Sequence, residues 1–205
     1  MIPTPPLRLR NRLAETILSA LGDPTARREL QHVATSENVD WVRDAQPEHA
    51  AIVRARARCA SEALATCPPL APEPSLGQAL VAAAVLFDAG LHFEVHELLE
   101  PHWVRARGAE RQALQGLIQI AVGFQHLANG NLEGARSLLS EGTVRLRDGR
   151  LAGLDLDRFA DAVSGAAARF TDPDAVAVPP FPRTIGGDIR GAGAEGQGRA
   201  GHGGE

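Results

Sequence analysis

The chain has 205 residues, 44% of them hydrophobic, and a formal net charge of −4. That is enough apolar material for one good core, with no long like-charged run to attract a polyanion or an anionic membrane. All 21 basic residues are arginine, which excludes a Schiff-base lysine and a phosphate-loop lysine.

The start, Met1-Ile2-Pro3-Thr4-Pro5-Pro6, leads into Arg8, Arg10 and Arg12 rather than the apolar segment of a secretion signal. The longest apolar run, Ala79 to Phe87, is too short to span a bilayer. A cytoplasmic protein with neither nucleic acid nor membrane as partner is the expectation. Strand alternation never persists, whereas Ala, Leu, Glu, Gln and Arg recur at helical spacing, so the fold class is all-α.

The first helix is predicted over about Leu9 to Leu21, closed by Gly22 and restarted by Asp23-Pro24, a cap followed by a first-turn proline. A short second helix follows, and Pro47 opens a third through Leu64. Arg54, Arg56 and Arg58 on that helix point in different directions and read as a solvated face, flanked by Glu48 and Glu62. Cys59 and Cys67 lack the companions of a zinc or redox motif and read as reduced thiols.

Residues 67–76 carry four prolines and are read as a linker between an N-terminal helical extension, 1–66, and a helical bundle, 77–172. In the bundle, helices are predicted over about Leu76 to Asp88, Leu91 to Trp103 and Glu110 to Ala128. The turn Asn129-Gly130-Asn131 leads into another reaching Leu146, and a last amphipathic helix covers Asp155 to Phe170. The tail, 173–205, turns rich in glycine and is expected to be disordered, with Pro179 to Pro182 extended against the domain.

The chemistry is concentrated in Phe93-Glu94-Val95-His96-Glu97-Leu98-Leu99-Glu100-Pro101-His102-Trp103. At 100° per residue His92, His96 and Glu100 fall one turn apart on one strip, beside Glu97. On the following helix Gln112, Gln115, Gln119 and His126 form a second polar strip, interrupted by Gly116 and Gly123. Small residues admit a close neighbour, so these two helices are expected to pack together, the amides and imidazoles of one satisfying the carboxylates and imidazoles of the other.

His96-Glu97-Leu98-Leu99-Glu100 also reads as H-E-x-x-E, one residue from the zinc-protease helix whose middle Glu is the general base. On that reading His96 and Glu100 are ligands, His126 completes the shell and Glu97 is catalytic, with a divalent ion, zinc, manganese or nickel, as cofactor. Pro101 places Glu100 next to a kink, and His92 and Glu100, about 12 Å apart along the axis, cannot share one ion. A metal-free, hydrogen-bonded network is the competing reading. Trp103 is read first as a core anchor, and His102 as a surface residue.

Phe87-Asp88-Ala89-Gly90, then Phe93 to Glu100 with Trp103, then Gln115-Gly116-Leu117-Ile118-Gln119-Ile120-Ala121, then Gly130-Asn131-Leu132-Glu133-Gly134-Ala135-Arg136, resemble domain-of-unknown-function family 309 over about residues 78–147. The resemblance implies a compact helical bundle with no established activity. It places Glu94, His96, Glu97, Glu100 and Trp103 on the family's motif, and Gln119 and His126 on its second segment. His92 departs from that pattern, where an aromatic residue is usual. Two functions follow as expectations. The first is a non-catalytic binding or structural module with a buried His/Glu cluster, taking a small polar ligand or peptide. The second is a metal-dependent hydrolase.

Overall fold

A computed structural model describes residues 5–147, 149, 151–170 and 177–183. Nine helical segments follow in chain order among these residues, and no strand. They are α1 Leu7–Ala20, α2 Pro24–Thr35, α3 Asp40–Arg43, α4 Pro47–Ala65, α5 Leu76–Asp88, α6 His92–Arg105, α7 Gly108–Ala128, α8 Leu132–Arg147 and α9 Leu156–Ala167. Eight correspond to predicted helices; the single-turn α3 was not foreseen. None is long and apolar enough to cross a membrane.

Local signals set these boundaries. Asp23 caps α2, its carboxylate accepting from the Thr25 N–H at 2.7 Å with Pro24 in the first turn. Ser75 and Gln78 form a reciprocal capping box that starts α5 immediately after the proline-rich segment. Gly90 (φ +73°) and Gly130 (φ +77°) close α5 and α7 in the left-handed conformation. In each turn the next N–H reaches back five residues, Leu91 to the Leu86 carbonyl and Asn131 to the His126 carbonyl, both at 2.9 Å. Two helical hairpins, α5–α6 and α7–α8, result.

The α7–α8 pair is the most intimate contact of the fold, and glycine makes it so. A Cβ on Gly116 would lie 2.9 Å from the Gly142 carbonyl oxygen, and one on Gly123 would lie 2.8 Å from Leu139. The glycines expected to admit α6 therefore serve α8. The helix α6 does pack on α7, and Val95 and Leu99 of α6 are fully buried in the core. The helix runs through Pro101 to Arg105, two residues past its predicted end at Trp103.

The N-terminal helices α1, α2 and α4 pack on one another, and α1 also covers α6, where the Arg10 guanidinium stands 4.2 Å over the Phe93 ring. Buried residues from Leu9 to Phe181 form one continuous apolar cluster. The segment 67–76 is tied to α1 and its turn: the Leu70 N–H donates to the Leu21 carbonyl at 2.8 Å, and Arg27 bonds the Ala20 and Cys67 carbonyls. The residues expected as a glycine-rich tail lie outside the described residues, apart from 177–183. That short stretch lies against the bundle, with Phe181 buried.

Candidate functional site

The motif on α6 divides into side chains used for packing and side chains left at the edge. His92 is 5% exposed and lies among rings, 4.9 Å from Phe87 and 5.7 Å from Phe124 between centroids. Neither ring nitrogen has a hydrogen-bond partner. Burial, helped by the Arg56 guanidinium, pushes its pKa down to about 4. The imidazole therefore stays neutral and fills an aromatic position in the core, the kind of residue the family resemblance calls for there.

Glu94 is 1% exposed, and its carboxylate accepts from Arg56 Nη2 of α4 at 3.0 and 3.3 Å. The reading of Arg56 as part of a solvated face is thereby corrected: it reaches across an interface to satisfy a buried acid that would otherwise cost several kcal/mol. About one turn later on α4, the Cys59 thiol donates to the Ala89 carbonyl at 3.1 Å. Burial, then the neighbouring Glu62 carboxylate, raises the Cys59 pKa, so it remains a thiol.

Trp103 is half-buried under the Arg111 guanidinium, 4.0 Å from the ring centroid, and Arg111 also donates to the Trp103 carbonyl at 2.8 Å. Its indole N–H is buried without a partner. His102 is half-buried rather than a free surface residue, and burial, with Arg105 beside it, lowers its pKa.

The edge group is His96, Glu97 and Glu100. His96 Nδ1 lies 3.0 Å from Glu97 Oε1, and one ligand atom from each of the three residues lies within 4.8 Å of the others. Such a nitrogen and two carboxylates could hold a metal ion. His126, expected to complete the shell, is not in this group. Its Nδ1 lies 2.7 Å from Asn131 Nδ2, and Asn131 Oδ1 in turn accepts from the Gly134 N–H. That second bond fixes the amide with its nitrogen toward the imidazole, so Nδ1 of His126 is an occupied acceptor.

Gln119 likewise belongs to another network. It donates to Glu141 and accepts from Arg145 on α8, both at 3.0 Å, while Arg145 also reaches Gln112 at 2.7 Å. The two polar strips expected to satisfy each other thus go separate ways: on α6 His92 enters the core and His96 pairs with Glu97 of its own helix, while Gln112 and Gln119 of α7 bond to α8. Arg56, Arg111 and Arg145 were missed as organisers. The sequence signal for Arg56, an arginine on the apolar side of α4 between Val53 and Ala60, was present but indistinguishable from its neighbours Arg54 and Arg58.

A groove of about 680 Å³ opens between the α1–α2 turn, the proline-rich segment and α6. Leu18, Leu21, Leu70 and Leu98 supply apolar surface, and Asp23, Glu73, Glu97, His102 and Arg105 supply the polar groups. Glu97 belongs to both the groove and the edge group.

An all-α bundle with a His/Glu group able to hold a metal ion is the class these features define. The family model described as Domain of unknown function (DUF309) matches residues 80–138, from α5 into α8. No curated protein and no solved structure matches the chain.

Proposed function

We propose that the protein is a non-catalytic binding module whose α6 works on two sides. The inner side packs His92 into the core and, through Glu94 and Arg56, joins the N-terminal helices to the bundle. The outer edge, through His96, Glu97 and Glu100, binds a divalent cation beside the groove. The observation that carries the reading is the double membership of Glu97, a donor in the edge group and a wall of the groove. An ion there would sit where a small polar ligand in the groove could reach its open coordination positions.

The donor spacing sets the expected strength. Donors about 2.1 Å from one ion are at most about 4.2 Å apart, whereas these lie within 4.8 Å of one another. The separations are thus near that limit, but the group offers only three protein donors and Glu100 is exposed, so weak, exchangeable binding is expected rather than a resident structural ion. Zinc, manganese and nickel are the ions to test. Titration of each into the full chain, followed by calorimetry, should give one site that His96→Ala and Glu100→Gln both weaken and His126→Ala leaves alone. Absence of saturable binding, or binding indifferent to His96 and Glu100, rejects the cation site.

A metal-dependent hydrolase is the second reading, supported by the same donor group. It needs Glu97 as general base, yet Glu97 lies at hydrogen-bond distance from His96. Metal-stimulated ester hydrolysis lost in Glu97→Gln, with metal binding retained, would favour it over the binding module.

A further inference from the structure

The short stretch 177–183 is bound to the bundle as a peptide ligand is bound to a receptor. Phe181, 2% exposed, inserts between Phe87 of α5 and Phe159 of α9, with ring centroids 5.4 and 6.0 Å away. Its main-chain N–H donates to Asp88 Oδ1 at 2.8 Å, and the Arg183 guanidinium pairs with Asp88 Oδ2. One carboxylate thus reads both the backbone and the side chain two residues on. Pro180 and Pro182 flank the aromatic anchor and hold the segment extended, so its backbone needs few partners.

The position of Asp88 is itself informative. It is the last residue of α5, where the helix dipole disfavours negative charge. A carboxylate there gains from a cation and an N–H arriving from outside the helix, and the strap supplies both. An aromatic pocket, an acid clamp and an extended Pro-rich occupant are the parts of a peptide-recognition site.

We propose that the cleft between the end of α5 and the start of α9 recognises extended segments of the pattern aromatic–proline–arginine, and that residues 181–183 are its intramolecular occupant. This site shares no residue with the His96 edge group, so either proposal stands or falls alone. Because the occupant is tethered, it competes at an effective concentration in the millimolar range, and a free peptide reaches the cleft only in the fraction of molecules whose strap is out.

The test uses the full chain and a fluorescently labelled peptide of residues Ala177–Arg183. Anisotropy should show the peptide binding Phe181→Ala at least about tenfold more tightly than the wild-type chain. Asp88→Asn added to that variant should remove most of the gain. The peptide should also raise the melting temperature of Phe181→Ala. Should Phe181→Ala not fold, Arg183→Ala leaves the aromatic anchor in place and should still bind the peptide better than wild type. A peptide that binds no variant better than the wild type, or binds regardless of Asp88, overturns the proposal and leaves the strap a purely structural contact.

Discussion

Replacing Arg56 by Met strands the Glu94 carboxylate, which is 1% exposed and has both of its side-chain hydrogen bonds from that one guanidinium nitrogen. Removing one partner of a buried pair costs about 3–5 kcal/mol. The Arg56 side chain keeps 28% of its exposure, so water softens the penalty and about 2–3 kcal/mol is the better expectation. For a chain of this size that corresponds to a fall in melting temperature of roughly 4–12 °C. The double variant Arg56→Met/Glu94→Leu removes both charges and should recover most of the loss, because an apolar pair of similar volume is often as stable as the ion pair it replaces. Urea denaturation followed by circular dichroism, with the two single variants completing a double-mutant cycle, measures this directly. If Arg56→Met costs less than about 0.5 kcal/mol, or the double variant is no better than the single, the pair does not join α4 to α6 as described.

His92 predicts an acid-side decline with a definite sign. Its folded pKa of about 4 lies below the ordinary value of 6.5, so the unfolded chain takes up a proton between those values and the folded one does not. Stability falls as pH drops from about 6.5 toward 4, by up to about 3 kcal/mol, then levels. His92→Phe should flatten that part of the stability-versus-pH curve; an unchanged slope would falsify the core-histidine assignment. Gly116→Ala should destabilise by about 1–3 kcal/mol, since the new methyl meets the Gly142 carbonyl and Leu146. Gly77→Ala, whose Cβ meets only Ser75 Oγ at 4.0 Å, should instead gain several tenths of a kcal/mol in chemical denaturation. Equal effects at the two glycines would contradict the close α7–α8 approach.

Most helices were legible because their ends carry chemistry of their own: Asp23-Pro24, Pro47, Gly90 and Gly130 all act within a few residues of the boundary they set. The four-residue α3 has no side-chain cap hydrogen bond and too few residues to show a period. The packing of Gly116 was half legible, since periodicity announces a close neighbour without saying which helix it is. The candidate site was legible only as a segment. That His96, Glu97 and Glu100 gather on one edge follows from spacing within a single helix, while the partners of Glu94 and Gln119 are set by tertiary packing, and His126 is taken by Asn131 of the adjoining turn. Glu94 is answered by Arg56, thirty-eight residues earlier, and nothing local distinguishes that arginine from the two beside it. Phe181 and Asp88 are separated by ninety-three residues, a distance at which sequence pattern carries no pairing information.

The stretch from Cys67 to Ser75 is fastened at each end, by Arg27 and Leu21 on one side and by the start of α5 on the other, while Ala71, Pro72 and Glu73 between them are exposed. A backbone break between Pro72 and Glu73 would therefore leave every one of those fastenings on its own fragment. The two pieces would still meet through Arg56 with Glu94 and Arg10 with Phe93, which makes this peptide bond the natural place to divide the chain for reassembly from separately produced halves.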